Sequence, residues 1–467
     1  MKVFGSTLSV FIAWLALFLM ILSPQLFSEG MFMDGIYYAT IARNMAEGIG
    51  TFWDPTFTQT LGKHFYDHPP LAFGFQSLFF TVFGDHFWVE RLYSFLCYVL
   101  TALLMLYTWT LIAPKTILKW GVISLFLWIS IPKVIWGAPN NLLENTSMIF
   151  VLLSVILQIK HLKKSSFTKL FIAGVLLFAG FLTKGFTALF PLSFPFFYAL
   201  INRSWKGIVL QYLAILIGLL TPLLLLWLFS SEGIKALENY LNIQVLASLK
   251  GVQSVDSRFY ILRRFFEEIL VILLLCVLVW SLVKYWKKKR PSFHRTYFWP
   301  LILCGLSGVL PIMISLKQST FYIIPTFSLF CLAASLFLAP RLQVLFAEIH
   351  LKSKAKKAFG IMSSVLLLLA FGLNYHNFGQ LKRDKDKLSD IKKIIAELPS
   401  ESIVQCGIEL QREWSYYAYF YRYGKISLSK EEQNYLIKAK GDKSETEEFK
   451  HYKLGLKSLD LYSKNPK

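Results

Sequence analysis

The 467-residue sequence predicts an all-α polytopic membrane protein of about eleven transmembrane helices. It adds a juxtamembrane helix in a long first outer loop and a small C-terminal soluble α/β or irregular domain. Three observations carry that prediction. Hydrophobic residues make up 55% of the chain and charged residues only 16%, with a mean hydropathy of +0.50, whereas soluble domains average about 25% charged. The apolar residues fall into runs near the roughly 20 that a spanning helix needs. The basic residues, which bring the formal net charge to +21, gather in alternate short connections. A soluble fold of this length could not cover so much apolar surface, which excludes ordinary soluble enzymes.

Candidate spans lie near 7–27, 91–112, 118–137, 145–160, 168–183, 186–201, 207–230, 269–286, 297–315, 321–339 and 358–375. Lys184-Gly185 interrupts the pair at 168–201. The first run follows Lys2, and no small-x-small cleavage pattern precedes Glu29, so it reads as a retained helix and not a signal peptide. With the N-terminus in the cytoplasm, the inside connections hold Lys115 and Lys119; Lys160, Lys163, Lys164 and Lys169; Arg203 and Lys206; the run Lys284 to Arg295; and Arg341 with Lys352, Lys354, Lys356 and Lys357. The outside connections 138–144 and 316–320 hold only Lys317. Of fourteen acids before residue 376, only Glu348 falls inside. The inside connections and Lys2 hold 20 of the 49 basic residues, and the tail holds 18, offset by 14 acids. The positive excess is therefore a topological label, and nucleic acid is not an expected partner. The five cysteines contain no CxxC pair, so neither a disulfide framework nor a thiolate metal site is expected.

This topology divides the chain into a membrane domain, 1–375, and an outward soluble domain, 376–467. Chemistry has room in the loops 28–90 and 231–268 and in the tail. The tail mixes a helix-like stretch, Leu388 to Leu398, with an aromatic run, Trp414 to Tyr423.

Within the first outer loop, Met33 to Gly48 reads as an amphipathic helix. Tyr38, Ile41, Ala42, Met45 and Ala46 form its apolar face, and Thr40, Arg43, Asn44 and Glu47 the opposite, polar one. Too short to span, it is expected to lie along the membrane surface. Asp34, at its start, is either a helix cap or a functional carboxylate. In Phe65-Tyr66-Asp67-His68-Pro69-Pro70-Leu71 the two prolines fix an extended backbone and hold Asp67 and His68 at the interface.

An Asp after the first span, a tyrosine-bearing helix ending in Gly, a Tyr-x-x-Pro-Pro-Leu turn, then Phe-Gly and Arg-Leu opening the second span resemble the GT-C membrane glycosyltransferases. The likeness is to the branch of protein O-mannosyltransferases and the bacterial lipid A aminoarabinose transferase. It is densest over 30–95 and weaker through Asn140 to Glu144, Thr183-Lys184-Gly185 and Lys317 to Pro325. The chain has Asp34-Gly35 where that family commonly has Asp-Glu, His68-Pro69-Pro70 for Lys-Pro-Pro, and Glu144 for a second outer Asp. The resemblance implies a polyprenyl-phosphate sugar donor and a lipid, glycan or protein acceptor.

Such a transfer needs a base for the acceptor hydroxyl and cations for the departing phosphate. Asp34 is the candidate base and Glu144 the second candidate catalytic carboxylate. Lys317 with Tyr322, and Lys184, are the candidate phosphate ligands. Tyr66 and His68 in the turn and Arg258 in the second outer loop complete the substrate-binding set. Asp67 and His64, beside His68, offer oxygen and nitrogen ligands to a divalent metal ion, at a spacing that matches no strong zinc signature. The resemblance leaves the cofactor open.

Two rival readings are a lipid-linked glycan ligase and a secondary transporter or flippase. The chain shows no internal repeat, and its acids gather at one face, unlike the midplane sites of transporters. The expected location is a bacterial inner membrane, with the active site and tail in the periplasm and membrane lipids as partners.

Overall fold

The computed structural model describes residues 7–246, 253–347, 353–442 and 448–464. Lys2, Glu348 and Lys352, which entered the topology expectation, lie outside the described residues. In order, the helices are α1 (Thr7–Leu22), α2 (Met33–Ala46), α3 (Leu71–Phe83), α4 (Val89–Ile112), α5 (Val122–Ile129), α6 (Pro132–Gly137), α7 (Leu143–Lys163), α8 (Phe167–Lys184) and α9 (Phe194–Asn202). They continue with α10 (Ile208–Phe229), α11 (Ser231–Tyr240), α12 (Tyr260–Ser281), α13 (Arg295–Val309), α14 (Ile324–Leu345), α15 (Ser353–His376), α16 (Lys385–Glu397), α17 (Ile408–Gln411) and α18 (Trp414–Gly424).

Every one of the eleven expected apolar runs carries a helix. Eight helices among the described residues are long and apolar enough to cross a membrane on their own. α5 and α6 make a ninth as a pair bent by 79°. The bend has a local cause in the sequence: Pro132 opens α6 at its first turn, and Ile131 before it is extended. α1 and α9 are apolar but fall short of a full span. α9 is short because Gly185, with φ of 70°, ends α8, and the chain then runs through two short 3-10 turns, the second holding Pro191, before α9 starts with Pro195 in its first turn. α12 begins at Tyr260, earlier than the span expected at 269, so the second outer loop gives up its last turns to a helix. α11 and a π-helical stretch, Leu241–Leu246, occupy its first part.

α14 is the centre of the bundle. Within the span it belongs to, 89% of the apolar window is buried, against α13, α5, α7 and α12. α10 and α15 are peripheral, at 17% each, and expose rows of leucine of the kind lipid tails cover. The tail folds as an α/β unit with a five-stranded sheet in the order β2-β1-β3-β5-β4. β1 (Ile403–Cys406) pairs in parallel with β2 (Ser427–Ser429) and β3 (Tyr435–Ala439). β5 (Leu459–Ser463) runs antiparallel to β3 and to β4 (Lys450–Tyr452). The expected aromatic run is α18, and it packs on α2.

That packing corrects one expectation. α2 has no free polar face, because Gly35 through Asn44 are all buried. Arg43 donates to Asp85 (2.9 Å) and to the Tyr421 carbonyl (2.8 Å), and Asn44 donates to the carbonyls of Thr56 (2.9 Å) and Phe57 (2.8 Å). The polar side is satisfied by protein, as burial requires, and the tail and first outer loop share one core. Arg422, 2% exposed, completes the clamp by pairing with Asp85 and with Glu90 (3.0 Å).

Candidate active site

The turn that presents Asp34 is fixed from three directions. Phe32 N–H donates to Asn140 Oδ1 (2.9 Å), and Asn141 Nδ2 donates to the Gly35 carbonyl (3.1 Å). A Cβ on Gly35 would lie 2.1 Å from the Asn140 carbonyl oxygen, so only glycine lets α2 approach the 138–144 connection this closely. From the tail, Tyr419 Oη sits between Met31 N (3.0 Å) and Met31 O (2.9 Å). Arg91, buried at the start of α4, donates to the carbonyls of Gln25 (2.5 Å), Gly30 (2.5 Å) and Pro139 (2.9 Å). Phe32 is the N-cap residue of α2, and Asp34 is the acid of its first turn.

Glu144 opens α7 and is 1% exposed. Lys184, the last residue of α8, places its Nζ 3.1 Å from Glu144 Oε1. Glu144 Oε2 is buried without a hydrogen-bond partner. The Lys184 ammonium also stands over the rings of Tyr322 (5.3 Å) and Phe321 (5.8 Å). Lys317, on the loop before Tyr322, donates to Gln244 Oε1 (2.9 Å). Gln318 braces that loop: its Nε2 donates to the carbonyls of Arg258 (3.0 Å) and Ser315 (2.8 Å), and its Oε1 accepts from Ile261 N–H (2.9 Å).

Charge ties these groups together. Burial pushes the Asp34 carboxyl above its ordinary value, while Lys184 and Lys317 pull it back. Asp67 is also raised by burial and opposed by Lys317. Burial lowers Lys317, with Asp67 opposing, Lys184 adding repulsion and Asp34 opposing in turn. Burial, then repulsion from Lys184 and Lys317, drives His68 well below the usual imidazole value, so its ring is neutral at pH 7.

A cavity of about 310 Å³ is lined by His68, Lys184, Tyr240, Gln244, Lys317 and Tyr322 on its polar side. Phe186 joins it to an apolar cavity of about 330 Å³ between α8, α10 and α11. Leu223 and Ile234 in turn join that cavity to one of about 590 Å³ beside Trp227 on peripheral α10.

Of the residues expected from sequence, Asp34, Glu144, Lys184, Lys317, Tyr322 and His68 converge, and the Asp67 charge reaches Lys317. Tyr66 does not join them. Its hydroxyl donates to Asp54 Oδ1 (2.8 Å) instead. Arg258 is exposed, and its contribution is the backbone carbonyl that Gln318 holds. Of the expected metal ligands, His64 pairs its Nδ1 with Asp54 Oδ2 at 2.9 Å, while His68, partly buried, packs edge-on against Tyr38. Among the described residues no three His, Cys, Asp or Glu side chains gather as ligands for an ion. Tyr240 and Gln244 were not foreseen. Tyr240 continues the buried stripe of Ala236 and Leu237 on α11, a signal present in the sequence, and its hydroxyl occupies the space where a Gly185 Cβ would fall.

Residues 67–227 match a protein family described as dolichyl-phosphate-mannose-protein mannosyltransferase. The fold is similar to that of ArnT from Cupriavidus metallidurans bound to undecaprenyl phosphate, with a TM-score of 0.67 at 12% identity over 98% of both chains. Apo ArnT gives 0.68 at 14% identity, over 98% of this chain and 97% of that one. The chain has the GT-C fold. The Archaeoglobus fulgidus oligosaccharyltransferase, solved with Zn and sulfate, is more distantly similar: TM-score 0.50 and 13% identity over 91% of this chain and 62% of that one. A search of curated proteins finds no match. With eight described helices long and apolar enough to cross a membrane, and this fold, the chain is an integral membrane protein.

Proposed function

We propose that this chain is a glycosyltransferase that moves a sugar from a polyprenyl-phosphate donor to a hydroxyl on a lipid, glycan or protein acceptor, with inversion, at the outer face of the membrane. The observation that carries the reading is the placing of Lys184 and Lys317 in one cavity, near enough for their charges to act on the Asp34 carboxyl, at the head of apolar cavities that run to the bundle's periphery. An anionic headgroup on a long apolar chain fits both halves. The undecaprenyl phosphate bound by ArnT supports the same donor class.

In this reading Asp34 takes the proton of the acceptor hydroxyl as the oxygen attacks the anomeric carbon. The bond from that carbon to the phosphate oxygen breaks on the opposite side, and its electron pair leaves with polyprenyl phosphate. Lys184, Lys317 and the Tyr322 hydroxyl stabilise the charge that develops there. Neutral His68 offers a hydrogen bond without adding charge. Glu144 acts through Lys184, holding its ammonium in place. The positive-inside pattern supports a cytoplasmic N-terminus, and the division at residue 375/376 gives a catalytic membrane domain and an outward tail. A bacterial inner membrane is the location in this proposal.

The test is the product formed from a labelled polyprenyl-phosphate monosaccharide in proteoliposomes with cell-envelope acceptors. Free polyprenyl phosphate is expected. Release of polyprenyl pyrophosphate from an oligosaccharide donor instead would make the chain a glycan ligase. Substrate movement with no bond broken would make it a transporter.

A further inference from the structure

A second built cavity lies at the far ends of α12 and α14, away from the candidate active site. It measures about 220 Å³ and is lined by Lys284, Lys289, Arg290 and Arg341 with Trp280 and Pro291. No carboxylate among the described residues lines it or pairs with any of the four cations. Arg341 is the informative one. It is 7% exposed, its Nη1 donates to the Phe337 carbonyl (2.6 Å), and its guanidinium carbon lies 3.6 Å from the Phe337 ring centroid. Its other N–H groups have no hydrogen-bond partner among the described residues. The remaining donors of this largely buried side chain open onto a cavity that holds three more cations, an arrangement that an anion in the space would neutralise. Phosphate is the anion whose oxygens match a guanidinium fork.

Two further observations describe what carries the phosphate. Tyr285 and Trp286 are exposed beside the cavity, as aromatic side chains are at a lipid headgroup boundary. Lys289 and Pro291 also line an adjoining cavity of about 530 Å³, which offers Thr116, Ser292, His294 and Gln343 and again no carboxylate. The first cavity suits a phosphate and the second a polar headgroup.

We infer that this cavity binds the phosphate of an anionic phospholipid headgroup in the leaflet opposite the active site. Basic pockets between spanning helices are a known means of holding such headgroups.

The experiment is native mass spectrometry of the full chain with phosphatidylglycerol and, separately, phosphatidylcholine. Retention of phosphatidylglycerol over phosphatidylcholine is expected. The exposed pair Lys289→Gln/Arg290→Gln should weaken that retention about thirtyfold. The control Arg203→Gln/Lys206→Gln, on another basic connection, should leave it unchanged. Equal retention by the Lys289/Arg290 variant, or equal loss in the control, would overturn the site. Inorganic phosphate that stabilises lipid-free protein as much as phosphatidylglycerol does would assign the cavity to free phosphate and overturn the lipid.

Discussion

Asp34 and Lys317 approach the candidate site from two walls, and the walls hold them by different means. The Asp34 wall is α2, buried from Gly35 to Asn44 and tied to distant parts of the chain: Arg43 to Asp85 and Tyr421, Arg422 to Asp85 and Glu90, Tyr419 to Met31. The Lys317 wall is a loop braced by Gln318, with Lys317 itself half-buried and bonded to Gln244 at the end of a π-helical stretch. The carboxylate is positioned by the global fold, whereas the cation is positioned by a few local contacts. Changes behind Asp34 should therefore cost stability, and changes around Lys317 should cost donor binding alone.

The largest expected effect breaks the first wall. Arg422→Ala leaves the buried Glu90 without its cation, while Asp85 keeps Arg43, and should destabilise the protein by about 3–5 kcal/mol, read as a lower unfolding midpoint in detergent. A stability as high as wild type would mean that the tail does not brace α2. Lys184→Met should cost a similar amount by stranding Glu144. The double change Lys184→Met/Glu144→Gln should recover stability without recovering transfer, which separates the structural role of this ion pair from its catalytic one.

On the second wall, Lys317→Gln removes the cation proposed to hold the donor phosphate. It should weaken donor binding by about 1.5–3 kcal/mol, seen as a raised KM, with an unchanged unfolding midpoint. The same variant sharpens the electrostatic link. A base must be ionised to act, so transfer falls as pH drops through the raised Asp34 pKa, and the acid limb lies above the ordinary Asp value of about 3.9. Lys317 holds that pKa down, so its removal should move the limb to higher pH. A limb that stays in place would uncouple the two walls. The smallest effect is Gln244→Ala, about 1 kcal/mol in KM for one lost hydrogen bond.

The sequence carries the spans openly, because twenty-residue apolar runs and loop charges need no tertiary information. It also exposes Asp34, Glu144, Lys184 and Lys317, since a charged residue at the edge of an apolar run is rare enough to notice. The burial of the polar face of α2 was hidden because Arg43 and Tyr421 are 378 residues apart and Arg422 and Asp85 337 apart. No local pattern encodes such partners. The partner of His64 was hidden for a related reason: the loop folds back to bring Asp54, ten residues earlier, to the imidazole. The π-helical turn that delivers Gln244 to Lys317 carries no periodic signature.

The most direct measurement is single-turnover sugar transfer by Asp34→Asn, on protein whose unfolding midpoint and donor affinity match wild type. Loss of the general base should slow the chemical step by about 10²–10⁴-fold. Transfer at the wild-type rate by that folded, donor-bound variant would contradict Asp34 as the base.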